Sequence, residues 1–193
     1  MSNQTPVFVL IGVNFLFFIC SFFISTLIVK MALNLYYLPS EPWRIVTSMF
    51  AHSDFWHIFS NMIALYFFGI FLIQLVGTGK FLLTYFIGGL VGNLVFLAFA
   101  YYGIIVNEYT AVIGASGAIY ALGGALVVLT PKLRVYLMGI IPMPLWVAVI
   151  GGFLIIFPGV AWQAHFGGLI TGLLAGIIFR RQQQNRGIRY YIR

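Results

Sequence analysis

Two short stretches carry polar side chains that stand out from apolar surroundings: the serine of Gly114-Ala115-Ser116-Gly117 and the histidine of Ala164-His165-Phe166-Gly167-Gly168. A serine hydroxyl is a poor nucleophile until a base takes its proton, and a neutral imidazole is the usual base. Ser116 with His165 therefore suits acyl transfer. A third polar set, His57 and Asn61, is spaced four residues apart and shares one helix face, from which either side chain can donate to a developing oxyanion. Ser116 opens an apolar run after a glycine-rich turn, so unpaired backbone N–H groups and the positive end of the helix dipole serve the same purpose. Tyr120, about one turn later, is placed to pack against the imidazole. The three acids, Glu41, Asp54 and Glu108, all fall in expected loops. No aspartate is left to orient the histidine, so the pattern reads as a Ser–His dyad.

Each residue also has a plainer reading. A serine between small residues can serve close packing alone, a lone histidine can simply hydrogen-bond a carbonyl, and an asparagine can satisfy polar neighbours. His52, His57 and His165 are conceivable zinc ligands, yet the sequence has no His-Glu-x-x-His pattern and no cysteine pair, and neither metal nor cofactor is expected. The coincidence of all three polar sets favours catalysis.

The elements that must position them follow from composition. Of 193 residues, 62% are hydrophobic and 7% charged, against about 45–50% and about 25% in soluble domains. An ordinary soluble domain is excluded. Apolar runs at 7–29, 56–76, 81–102, 116–130, 137–157 and 164–179 predict an all-α, polytopic bundle of transmembrane helices in a single domain over residues 1–193. The first run has no basic segment before it and is too long for a signal sequence, so it reads as a retained helix. The lone Cys20 permits no intrachain disulfide. Residues 30–55, with Glu41, Pro42, Trp43, Arg44 and Asp54, form the longest connection and are expected at the membrane interface.

Lys80, Lys132, Arg134, Arg180, Arg181, Arg186, Arg189 and Arg193 fall on one side of these spans, whereas Lys30, Arg44 and the three acids fall on the other. The positive-inside rule then puts both termini in the cytoplasm. The net charge of +7, much of it in a basic tail at 180–193, reads as an orientation signal and lipid-headgroup contact rather than a nucleic-acid site. At about 1.5 Å per residue, Ser116 and His165 lie about 22 Å from the cytoplasmic ends of their helices and Asn61 about 25 Å. In a hydrocarbon core of about 30 Å the three sets share a depth of about 5–8 Å below the outer boundary. A shared cavity open to the outer side follows. Gly168, Gly172 and Gly176 recur every four residues, as do Gly117, Ala121 and Ala125, with a weaker pair at Gly88 and Gly92. Such stripes let backbones approach in lipid, and the fourth and sixth spans are expected to be direct neighbours.

The pattern resembles the rhomboid family of intramembrane serine proteases, in its compact six-helix bacterial form, over nearly the whole chain. Trp43-Arg44 is similar to the family's Trp-Arg motif, His57-Ile58-Phe59-Ser60-Asn61 to its His-x-x-x-Asn, and Gly114-Ala115-Ser116-Gly117 to its Gly-x-Ser-Gly. Tyr120 and Ala164-His165 with the following glycines complete the likeness. The resemblance implies a six-helix fold with Ser116 as nucleophile and His165 as general base and then acid. It also implies His57, Asn61 and the Ser116 backbone N–H as oxyanion donors, a turn shaped by Gly114, and Tyr120 stacked on His165. His52 matches a further polar position of the family and reads as structural. By the same resemblance the first loop lies in the outer leaflet, and the fifth helix with residues 158–163 moves to admit substrate. The expected function is a cofactor-independent endopeptidase of a bacterial inner membrane, cutting transmembrane segments of other proteins near their outer ends. A noncatalytic membrane-helix binder and a small-solute channel are the competing readings.

Overall fold

The computed structural model describes residues 3–137, 140–156 and 161–185. Most of them are helical. Helix α1 (Thr5–Phe23), with Pro6 in its first turn, packs on the helix at Phe55–Val76 and leaves Leu16, Ile19, Phe22 and Phe23 exposed, as a lipid-facing helix would. A short α2 (Leu27–Met31), α3 (Arg44–Thr47) and a single 3-10 turn (Ser48–Phe50) lie in the first connection. Helix α4 (Phe55–Val76) starts where Asp54 caps it, Oδ1 accepting the His57 N–H at 2.9 Å. It turns into α5 (Thr78–Tyr101) through Gly77, whose φ of +85° disfavours any residue with a Cβ. Helix α6 (Ser116–Leu129) and α8 (Trp162–Asn185) complete the long elements. Among the described residues four helices, α1, α4, α5 and α8, are long and apolar enough to cross a membrane.

Helix α6 is the axis of the bundle. Its buried residues point all round it and are mostly small, among them Gly117, Ala118, Ala121, Gly123, Gly124 and Ala125. A helix whose buried positions are mostly small lets its neighbours approach at close range. A Cβ added at Gly168, Gly172 or Gly176 of α8 would meet the backbone oxygen of Gly117, Ala121 or Ala125 of α6, in matching register. A Cβ at Gly167, on the adjoining face of α8, would lie 2.9 Å from Gly92 Cα and 3.0 Å from the Val91 carbonyl oxygen of α5. Helix α8 is thus wedged between α5 and α6 with almost no side chain between the backbones.

Two expectations need correction. The first apolar run, 7–29, is not one helix: α1 ends at Phe23 and α2 starts at Leu27, with Ser25 and Thr26 between them. Hydroxyl side chains of this kind compete with the helical backbone for hydrogen bonds. Nor is 137–157 a single span. It begins in an antiparallel hairpin, β1 (Arg134–Leu137) and β2 (Ile141–Pro144), paired from Arg134 with Pro144 to Leu137 with Ile141, so the chain is not purely helical. Pro142 and Pro144 supply no N–H and push the residues before them into extended conformation. The helix follows only as a π-helical segment (Val147–Gly151) running into α7 (Gly152–Ile156). Phe157 of the expected fifth span, residues 158–160 of the expected moving loop, and Arg186, Arg189 and Arg193 of the tail lie outside the described residues.

At one end of the bundle Lys80 Nζ donates to Gln182 Oε1 at 2.6 Å, Gln183 Nε2 to the Leu75 carbonyl at 2.9 Å, and Thr78 Oγ1 to the Asn3 carbonyl at 3.0 Å. Arg180 and Arg181 sit in the same turns of α8, far from His165. The first loop occupies the opposite end and is internally bonded. Arg44 is 3% exposed; it donates to the Val29 and Ala32 carbonyls at 2.5 and 2.6 Å and to Glu41 Oε2 at 2.7 Å, and stacks on Tyr37. Trp43 beside it is exposed. His52 is buried where the loop meets α4, and burial, with His57 alongside, pushes it down to about 4 from an ordinary 6.5.

Because backbones meet at Gly172, Gly172→Ala is expected to cost about 1–3 kcal/mol of stability through overpacking. Gly12→Ala, which has no atom within 4 Å of the added Cβ, should not; thermal unfolding in detergent compares them. His52 gives a pH signature. Its folded value lies below its unfolded one, so the stability it supplies is present above pH 6.5 and is lost as pH falls toward about 4. His52→Gln should flatten the fall in melting temperature over that window relative to the parent chain.

Candidate active site

The chain approaches Ser116 through Gly114, whose φ of +117° belongs to glycine. A Cβ there would also lie 2.7 Å from His57 Nε2. The turn is fixed from outside: the Gly114 N–H donates to the Ser48 carbonyl at 2.8 Å, and Leu33 and Val112 exchange backbone hydrogen bonds of 3.0 and 2.8 Å. Asn93 of α5 secures the same corner, its Nδ2 donating to the Ile45 carbonyl at 2.8 Å and to Ser48 Oγ at 3.0 Å. Leaving the turn, the chain enters α6 with Ser116 in its first position, where backbone N–H groups have no intrahelical acceptor.

Ser116 Oγ lies 2.7 Å from His165 Nε2. The distance is that of a good hydrogen bond. His165 projects from the first turn of α8, one residue after Ala164, whose carbonyl would lie 3.3 Å from a Cβ at Gly117. The imidazole is buried, and its Nδ1 meets no hydrogen-bond partner among the described residues. What steadies the ring is Tyr120, tilted 33° to it with centroids 4.8 Å apart; Phe153 of α7 in turn packs edge-on against Tyr120 at 6.0 Å.

A cavity of about 480 Å³ opens beside this pair, bounded by His57, Asn61, Ser116, Tyr120 and His165 and closed on its apolar side by residues such as Phe68 and Val149. The polar sets expected from sequence, each at the start of a different helix, therefore line one space. One amide hydrogen of Asn61 is engaged with the His57 carbonyl at 2.8 Å, which leaves the other for the cavity. Among the described residues no group of three or more His, Cys, Asp or Glu side chains is assembled to hold a metal ion. Trp43 and Arg44 stand apart from the cavity. Arg44 holds the loop that leads to Ser48 and bonds to none of the residues that bound the cavity.

Ser48 and Asn93 were not among the residues that sequence reasoning selected. Asn93, an amide within an apolar run, is the signal that points to this corner; Ser48 lies in a loop and gives none.

A family model described as the Rhomboid domain matches residues 39–182. The chain is 33% identical over 149 residues to RHOMBOID-like protein 6, mitochondrial, of Arabidopsis thaliana, which covers 76% of this chain and 46% of that protein. It is 30% identical over 141 residues to Rhomboid protein 1, mitochondrial, of Saccharomyces cerevisiae, covering 68% of this chain and 40% of the yeast protein. It is 31% identical over 137 residues to the Rhomboid protease GluP of Bacillus subtilis, covering 70% and 25%. The chain spans less than half the length of each of these relatives. Every residue that bounds the cavity falls within the matched segment, and the chain belongs to the rhomboid family.

Proposed function

We propose that this multi-pass membrane protein is a serine endopeptidase that hydrolyses peptide bonds in or near transmembrane segments of other membrane proteins. The observation that carries the reading is the 2.7 Å contact between Ser116 Oγ and His165 Nε2 at the mouth of a cavity. His165 takes the hydroxyl proton as Ser116 Oγ attacks the substrate carbonyl carbon. The carbonyl oxygen becomes an oxyanion held by the Ser116 N–H, Asn61 Nδ2 and the His57 ring. His165 then gives its proton to the departing amine, which leaves an acyl-enzyme on Ser116. Water enters the cavity, loses a proton to His165 as its oxygen attacks the acyl carbon, and His165 returns that proton to Ser116 Oγ as the acid leaves. The residues present supply every proton transfer without a cofactor, and His165 works as the second member of a dyad.

The same reading places the site toward the outer side of a bacterial cytoplasmic membrane, with six spans and both termini inside. It draws on the position of Lys80, Arg180 and Arg181 at the end of the bundle away from the cavity. Substrate helices must unwind before a carbonyl is exposed to Ser116, so segments with Gly or Pro near the cut are favoured.

A fluorophosphonate is expected to attach at Ser116 and nowhere else, with labelling lost in Ser116→Ala; mass spectrometry of the labelled peptide locates the adduct. His165→Ala should abolish turnover while the protein remains inserted. An adduct at another residue, or labelling that survives Ser116→Ala, contradicts the assignment. Asn61→Ala should lower kcat by about 10–1000-fold with a smaller effect on KM, because the donor is strongest when the oxyanion forms. Steady-state kinetics on a transmembrane reporter separates the two constants.

A further inference from the structure

The chain leaves α6 through Thr130 and Pro131 and enters the hairpin, whose two faces differ. Leu133 and Val135 pack against the core, and the Leu145 N–H donates to the Leu133 carbonyl at 2.8 Å, which ties the end of the hairpin to its beginning. Lys132, Arg134 and Tyr136, at the alternate positions, are exposed, with Pro144 opposite Arg134 and Pro142 opposite Tyr136. Ile140, Ile141 and Trp146 are exposed beside them. The seam pairs Gly176 with Ala125, so Arg180 and Arg181, one turn further along α8, lie at the same end of the bundle as Lys132 and Arg134, which follow α6. None of the three acids is there. Glu41 is bound by Arg44 in the first loop, Asp54 caps α4, and Glu108 lies in the connection from α5 to α6, where its carbonyl accepts the Tyr36 N–H of the first loop.

We propose that the exposed face of the hairpin, Lys132 and Arg134 with Tyr136, binds anionic phospholipid headgroups, and that the bound lipid anchors the segment that walls the cavity. The two cations complement a lipid phosphate, and the aromatic and aliphatic side chains beside them suit the acyl boundary just beneath it. Free phosphate would engage the first and leave the second in water. A two-stranded hairpin is marginal by itself, so whatever holds its outer face adds to its order. Beyond Leu145 the chain passes straight into the π-helical segment, whose Ala148 and Val149 line the cavity, and then into α7, whose Phe153 packs on Tyr120 and through it on His165. A hairpin held at the membrane surface therefore fixes one wall of the cavity and the ring that steadies the imidazole. The effect on turnover rests on the proposed hydrolysis; the lipid site does not.

The test places the full chain in phosphatidylcholine nanodiscs with a small fraction of diazirine-bearing phosphatidylglycerol, and maps the photoadducts by mass spectrometry. Adducts are expected on residues 132–146, and diazirine-bearing phosphatidylcholine at the same fraction should give far fewer there. Lys132→Gln combined with Arg134→Gln should lower the phosphatidylglycerol adducts on this segment by about 30-fold, the joint effect of two surface cations. Both side chains are exposed, so the fold is spared. Arg180→Gln combined with Arg181→Gln removes the same charge from the same end and should leave most of those adducts. Unlabelled phosphatidylglycerol should slow backbone hydrogen exchange over residues 147–153 and raise hydrolysis of a transmembrane reporter, and the hairpin variant should show neither response. Equal labelling by the two probes, adducts that persist in the hairpin variant, or an equal loss in the α8 variant would overturn the site. Exchange or hydrolysis indifferent to phosphatidylglycerol would overturn the anchoring. Slowed exchange in a protein that hydrolyses nothing would support the lipid site and refute the hydrolytic reading instead.

Discussion

The hydrogen bond between Ser116 and His165 joins two helices, and it can form only where the backbones of α6 and α8 nearly touch. In lipid no expulsion of water draws helices together, so approach depends on the shape of their surfaces. Gly168, Gly172 and Gly176 remove every side chain from the seam on α8, and Gly117, Ala121 and Ala125 do nearly the same on α6. The register of that seam sets the height of His165 against Ser116. The length of α6 sets the depth: 14 residues span about 21 Å, less than a hydrocarbon core, so a helix level with its neighbours at one end of the bundle begins below them at the other. A polar cavity at that depth follows from a short helix and a smooth seam together.

The second constraint comes from the first loop. A glycine turn alone would leave Ser116 free to swing, but Gly114 is bonded to Ser48, Ser48 to Asn93, and Leu33 to Val112. These bonds also satisfy backbone groups that would be costly to leave open near the apolar interior. Arg44 extends the network outward, binding the Val29 and Ala32 carbonyls, so the exposed part of the loop and the turn before Ser116 form one bonded unit. On the other side of the cavity Asp54 caps α4 and Ser53 lies against His57 Nδ1, so the start of that helix is bonded as well.

Much of the site was legible because a polar group in an apolar run is expensive and therefore conspicuous. Ser116, His57, Asn61 and His165 declared themselves in that way, and the glycine spacing named the helices that would meet. Asn93 obeys the same rule and was equally readable. Ser48 was not, because its partners Gly114 and Asn93 are distant in sequence and leave no local pattern. The fifth segment was misread for a different reason. Hydropathy counts apolar side chains and ignores the missing N–H groups of Pro142 and Pro144, which turn its first part into a hairpin strand. The break after Phe23 was hidden in the same manner, since two hydroxyl residues hardly lower the mean hydropathy of a long apolar run.

The central claim is that Ser116, activated by His165, opens peptide bonds of a membrane-embedded segment. Its most direct test is cleavage of a purified single-span reporter by the purified protein in proteoliposomes, with the new termini mapped by mass spectrometry. The account predicts a cut toward the outer end of the reporter's span, made by the parent chain and absent with Ser116→Ala. No cleavage by the parent chain, or the same cut made by Ser116→Ala, would contradict it.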